Sequence, residues 1–194
     1  MRKSRKPAAK SRNAKTKKSA KNRPTARTPS SPTAKIPKKI GLISDTHGLL
    51  REEALQALRG SDLIIHAGDV GDPTILEALR KLAPVVAVRG NVDTADWARA
   101  LPETTVAEAG TINIYVLHDV HALDLNPKAA GFAIVVSGHS HKPGRPDRDG
   151  VVYINPGSAG PRRFNLPITL ARLDLGATPW SVEFVDLEKE RRVK

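Results

Sequence analysis

Cysteine is absent from this chain. Disulfides, thiolate metal sites and cysteine nucleophiles are thereby excluded, and His, Asp and Asn remain as the side chains able to hold a metal. Aromatic residues make up only 4% of the sequence, so Trp97 and Trp180 read as packing or subunit-contact residues. No run approaches the ~20 apolar residues of a membrane span, and the N-terminal stretch lacks the apolar core of a secretory signal. The expectation is a cytoplasmic protein with no membrane partner. Acid is missing from residues 1–39, which hold fifteen Lys or Arg and, apart from Met1 and Ile36, no large apolar residue. Such a segment cannot bury enough surface to offset the entropy of ordering it. Residues 1–38 therefore read as a disordered basic tail. It would hold nucleic acid or another polyanion weakly through counterion release, or simply keep the chain in solution.

The net charge of +12 changes meaning once the tail is set aside, because residues 40–194 carry seventeen basic and twenty acidic side chains. The remaining domain, residues 39–194, is slightly acidic and large enough to bury a real core. Its first half alternates strand and helix: Ile40–Ser44, a helix over Leu50–Arg59, Asp62–His66, a helix over Thr74–Lys81, then Val85–Val88. Apolar residues at Leu50, Ala54, Leu55, Ala57 and Leu58, and at Ile75, Leu76, Leu79 and Leu82, fit one buried helical face each. Alternating units imply a parallel core with right-handed crossovers. The second half is β-rich, with strands over Thr105–Ala107, Ile112–Leu117, Ala133–Ser137, Val151–Ile154, Leu170–Leu173 and Trp180–Val185, and one short helix near Asn126–Ala130. The expected fold class is α/β (α+β), a two-sheet β-sandwich flanked by helices.

Ligands in open α/β sheets bind outside the carboxyl ends of the strands, and the polar residues of this chain fall there. Ile40, Leu42 and Ile43 end at Ser44 and deliver Asp45-Thr46-His47-Gly48. In an extended segment residues two apart share a side, so Asp45 and His47 would aim a carboxylate and an imidazole at one point. His66-Ala67-Gly68-Asp69 follows the second strand, Arg89-Gly90-Asn91-Val92-Asp93 the third, His118-Asp119 the strand over Ile112–Leu117, Gly138-His139-Ser140-His141 that over Ala133–Ser137, and Asn155-Pro156-Gly157-Ser158 that over Val151–Ile154. Taken singly each is an ordinary turn or a satisfied polar residue. Two imidazoles at His139 and His141 on one side of an extended segment need more of a reason, and the joint occurrence is far harder to obtain by chance.

These residues resemble the calcineurin-like metallophosphoesterases, and within them the small single-domain phosphodiesterases of bacteria and archaea. The signature stands here as Asp45-Thr46-His47, Gly68-Asp69, Gly90-Asn91, His118 and Gly138-His139-Ser140-His141, over about Lys39 to Leu187. The resemblance implies that Asp45, His47, Asp69 and His141 hold one metal and Asp69, Asn91, His118 and His139 a second, with Asp69 as bridge and Asp69, Asn91 and His118 at the catalytic centre. Oxygen and imidazole ligands suit two divalent ions, manganese first, with nickel, iron, cobalt or zinc as alternatives. Two such ions ~3.5 to 4 Å apart can clamp an in-line displacement at phosphorus and lower the pKa of bound water toward ~7. The implied reaction is hydrolysis of a small-molecule phosphodiester by a metal-bound hydroxide. Monoester hydrolysis by a polyanion-tethered enzyme is one alternative. Another is a scaffold role, as in a retromer subunit of similar fold, but that protein departs from the ligand pattern whereas all seven positions are filled here. Similar proteins often form homo-oligomers.

The chain departs from many larger relatives in two places. Val92 stands where they carry a His that can protonate the leaving oxygen, a contribution of ~10² to 10⁴ in rate. Asp119 follows His118, where it either orients a ligand imidazole or caps the next turn, and His121 is left unassigned. Asn155 and Ser158 either support the His pair as a rigid turn or join the site. Arg162 is the candidate substrate contact of the Arg162-Arg163 pair, together with Asn91; surface exposure is the ordinary alternative. His66 either lines the pocket or closes its strand, and Arg89 faces substrate or a surface partner.

Overall fold

Asp62 sets the register of the first strand by accepting the Lys38 and Lys39 backbone N–H groups, both at 3.0 Å. The strand, β1 (Lys39–Ile43), then alternates: Ile40 and Leu42 enter one core layer and Ile43 another. The computed structural model describes residues 36–163 and 165–190. All but the last three residues of the expected basic tail lie outside them.

Two five-stranded sheets make up the fold. In the first, β1, β2 (Leu63–His66) and β3 (Val85–Ala87) run parallel, and β9 (Thr169–Asp174) and β10 (Ser181–Asp186) extend the sheet antiparallel beyond β1. In the second, β5 (Ile112–Leu117), β6 (Ile134–Val136) and β8 (Val151–Ile154) run parallel between antiparallel edges β4 (Thr104–Ala109) and β7 (Asp147–Arg148). Period-two alternation gives each strand two apolar faces. Ile40, Leu42 and Ile65 meet Ile114, Val116, Ile134 and Ile154 between the sheets. Ile43, Ile64 and Leu170 turn outward to Leu58 and to Ile75, Leu76 and Leu79 of the flanking helices. Trp180 packs at the margin of the first layer and Trp97 at that of the second, so both tryptophans are packing residues.

The helices α1 (Glu52–Ala57), α2 (Pro73–Arg80) and α3 (Leu187–Glu190) pack on the first sheet. Asp72 caps α2 by accepting the Thr74 N–H at 2.8 Å, and Pro73 occupies the first position, where its missing donor costs nothing. Arg51 gives α1 no side-chain cap, and that helix is shorter than its apolar pattern predicts. Among the described residues no α-helix packs on the outer face of the second sheet. Leu123, Leu125 and Phe132 cover Tyr115, Leu117 and Val135 there. The helix expected near Asn126–Ala130 is a hydrogen-bonded turn instead, closed by Ala130 N–H to Asn126 O and capped by the Asn126 side chain. Pro127 and Gly131 leave it no length to propagate.

Candidate metal centre

The carboxyl ends of β1, β2, β3, β5 and β6 deliver every residue of the expected ligand set to one place. The loops after β1 and β2 run side by side: Asp45 N–H donates to Gly68 O at 3.0 Å, His47 N–H to Asp69 O at 2.9 Å and Gly48 N–H to Val70 O at 2.9 Å. Neither loop is extended. Asp45, His47 and Asp69 have φ of 54°, 47° and 55°, and His139 and His141 have 66° and 57°. The expectation that Asp45 and His47 converge through an extended backbone is thus corrected. Left-handed residues at alternate positions, pinned by the neighbouring loop, achieve the convergence.

On one side, Asp45 Oδ1 lies 3.2 Å from His141 Nε2 and 3.9 Å from His47 Nε2, and the two imidazole nitrogens are 3.3 Å apart. On the other, His118 Nε2 and His139 Nδ1 each lie 3.0 Å from Asn91 Oδ1. Asp69 stands between, with Oδ2 3.2 Å from His118 Nε2 and 3.9 Å from His47 Nε2. Its Oδ1 is occupied by the Val92 N–H at 3.0 Å, which leaves Oδ2 to face both groups. Asp45, His47 and His141 form one cluster with metal-ligating geometry and Asp45, Asp69 and His118 a second, so Asp45 also faces both. His139 and His141 do not share a side as expected: the first reaches Asn91, the second Asp45.

The donor set fits divalent cations. Asp45 Oδ1 is buried with no hydrogen-bond partner, an arrangement that is costly unless a cation satisfies it. His118 donates from Nδ1 to Ala67 O at 2.8 Å, which turns the lone pair of Nε2 into the site. Without metal, burial works to raise the Asp69 pKa, but the hydrogen bonds from His118 and Val92 and the charges of His118 and His47 win and lower it. Burial disfavours charged His118, yet its bonds to Asp69 and Ala67 and the charges of Asp69 and Asp45 raise its pKa. For His47 burial prevails, and its pKa is lowered with help from the charges of Arg163 and His141.

Supporting residues hold this arrangement. Asp93, an ordinary turn residue by sequence, is buried and accepts three backbone N–H groups: Val70 at 3.1 Å, Gly71 at 2.8 Å and Gly90 at 2.9 Å. It locks the loop after β3 to the loop after β2. A β-carbon on Gly90 would collide with the Asp69 amide and carboxylate, so only glycine allows that approach. Asn155 donates to Gly138 O at 2.6 Å and Ser140 Oγ at 3.0 Å and accepts from Gly157 N–H at 2.9 Å, a rigid turn under the histidine loop. Ser158 donates to Asp45 O at 2.9 Å. Asp119 caps the turn, its Oδ1 accepting the His121 N–H at 2.9 Å, and its Oδ2 lies 3.8 Å from His139 Nε2.

Other candidates sit elsewhere. Arg162 is paired with Glu188 and donates to Leu166 O at 3.3 Å, so its guanidinium is committed within the chain; its neighbour Arg163 is the one whose charge bears on His47. Arg89, by contrast, lines a cavity beside Asn91 and His118, where it pairs with Glu103. His66 is fully buried and closes its strand. Its Nε2 lies 3.0 Å from Thr46 Oγ1, whose own proton goes to Val70 O at 2.9 Å, so the imidazole donates from Nε2. Burial lowers its pKa to about 4. His121 is exposed on the turn after Asp119.

Residues 39–178 match the family model of the calcineurin-like phosphoesterase superfamily domain. A "Probable metallophosphoesterase" of Methanocaldococcus jannaschii is 39% identical over 132 residues, 61% of this chain and 67% of its own. A phosphodiesterase of the same organism is 26% identical over 137 residues, 61% of this chain and 82% of its own. Among solved structures, a novel archaeal phosphodiesterase superposes with a TM-score of 0.64 at 22% identity, covering 76% of this chain and 99% of that one. Vps29 of Chaetomium thermophilum superposes with 0.63 at 18% identity, covering 76% and 95%.

Proposed function

The chain belongs to the calcineurin-like phosphoesterase superfamily, and from that premise we propose that it hydrolyses phosphodiesters at a centre of two divalent cations. The observation that carries the reading is the position of Asp69 Oδ2, which faces His118 Nε2 at 3.2 Å and His47 Nε2 at 3.9 Å from between two donor groups. Asp45, His47 and His141 with Asp69 would hold one ion, and Asn91, His118 and His139 with Asp69 the other. Bound there, divalent cations would polarise phosphoryl oxygens and lower the pKa of water toward ~7, which would supply a nucleophile at neutral pH; we take manganese first among the manganese, iron, cobalt, nickel and zinc ions that this oxygen and imidazole set suits.

This chain's own residues supply orientation. His118 is fixed as an Nε2 ligand by its bond to Ala67, and Asn91 is placed by the loop that Asp93 clamps. Val92 stands beside Asn91 where a proton donor would serve the leaving oxygen, and it is exposed. The chain is therefore suited to esters whose leaving group needs little protonation. The phosphodiesterase among its relatives supports diesters over monoesters. A scaffold role is the second reading, and the carboxylate and imidazole clusters that this chain brings together count against it.

The test compares bis(p-nitrophenyl) phosphate with p-nitrophenyl phosphate, using metal-stripped protein resupplied with Mn²⁺, Ni²⁺ or Zn²⁺. The expected outcome is metal-dependent cleavage, faster for the diester and lost in Asp69→Ala. Preferential cleavage of the monoester would overturn the diesterase assignment.

A further inference from the structure

His118 and His139 face the same amide oxygen. Each presents a ring nitrogen to Asn91 Oδ1 at 3.0 Å, His118 through Nε2 and His139 through Nδ1. His118 gives its Nδ1 proton to Ala67 O at 2.8 Å, which leaves Nε2 as an acceptor in the neutral ring. An oxygen and a nitrogen that both accept suit a cation between them. For His139 to join this group through Nδ1, its proton must sit on Nε2, and that N–H needs an acceptor of its own.

Burial does not hold this ring. The side chain of His139 is 44% exposed, against 6% for His118, 7% for His141 and 11% for His47. Its ring meets that of His118 edge-on, with centroids 5.2 Å apart. Its Nε2 is met by Asp119, whose Oδ2 lies at 3.8 Å. That is an ion-pair separation, too long for a hydrogen bond, and between two freely moving exposed side chains it would be worth little. Asp119 is tied in place, however. Its Oδ1 accepts the His121 N–H at 2.9 Å and caps the turn Val120–Ala122, which sets the direction of the second oxygen. The end of β5 thus supplies one ligand candidate, His118, and directly after it the carboxylate that faces another from the loop after β6.

We propose that Asp119 is the positioning residue of His139: its carboxylate keeps Nε2–H turned toward itself and Nδ1 turned to the ion that Asn91 and His118 share. The inference rests on the two-ion reading above and is tested by binding, not turnover. Metal-stripped full chain is titrated with Mn²⁺ in a calorimeter as wild type, Asp119→Asn and Asp119→Ser, each with and without His139→Ala. Asn and Ser both keep an oxygen for the cap, and neither has a second one left for His139. The affinity of one of the two ions is expected to fall about tenfold or more in both variants. In the His139→Ala background the same replacements are expected to cost nothing further. Unchanged affinity in either variant overturns the proposal. An equal loss with and without His139 also overturns it, because Asp119 then acts through something else. If only one ion binds, the two-ion reading has failed, and the same comparison on that ion decides the role of Asp119. If none binds, both fall.

Discussion

Five of the seven ligand candidates, Asp45, His47, Asp69, His139 and His141, hold left-handed backbone conformations. For residues with a β-carbon each such conformation costs on the order of 1 kcal/mol or more. Hydrogen bonds to distant loops help maintain it, among them Asp45 N–H to Gly68 O and His139 N–H to Asp45 Oδ2 at 3.2 Å. Asn155 belongs to this support although it touches no ligand side chain. Replacing it with Ala frees Gly138 O and Ser140, and metal affinity measured by calorimetry is expected to fall ~10- to 100-fold while the far-ultraviolet circular dichroism is unchanged. Unchanged affinity would show that the histidine loop holds itself. At this scale the sequence was legible in residue type: carboxylate, amide and imidazole at strand ends pointed to the donor clusters that the fold brings together. It was illegible in backbone sign and in partners. Arg162 and Arg163 are equivalent in sequence, and only the position of Glu188 separates them.

Strand ends place the ligands, and the loops between them are clamped to one another. Asp93 is the clearest clamp, since one buried carboxylate satisfies amides from the loops after both β2 and β3. Asp93→Ala leaves those donors unpaired, and urea denaturation is expected to show a loss of about 2–4 kcal/mol. A loss under ~0.5 kcal/mol would mean that water or a neighbour replaces the carboxylate. The strands β5 and β8 were readable to the residue because turn signals bracket runs rich in β-branched and aromatic residues. The two-residue β7 is too short to carry a period, and the Asn126 turn has a helical start with no room to continue. Asp93 was visible as a turn residue, but its role depends on amides more than twenty positions earlier in the chain.

Acid stability is a property of the whole molecule, and His66 marks its onset. Buried with a pKa of about 4 against an ordinary value of 6.5, it is protonated in the unfolded chain before the folded one. Its contribution to stability is complete above pH 6.5 and is lost as pH falls from there toward 4, about 3 kcal/mol in all. The wild type, metal-free, should therefore lose about that much more stability than His66→Gln between pH 7 and 4, read from urea midpoints. Parallel curves would contradict the assignment. Asp69, held below the ordinary carboxylate range, adds stability above that range that is lost at still lower pH.

The carboxyl ends of parallel strands from both sheets bring the candidate ligands together, and the proposal to be tested is that this junction is a two-ion hydrolytic centre. Its most direct measurement is the initial rate of bis(p-nitrophenyl) phosphate hydrolysis as Mn²⁺ is added to a known amount of metal-stripped protein, with bound metal counted in the same samples. The account predicts no hydrolysis without metal, a rate that tracks occupancy up to two ions per chain, and no such rise in Asp69→Asn. Hydrolysis that is complete at one ion, or two bound ions with no hydrolysis, would contradict it.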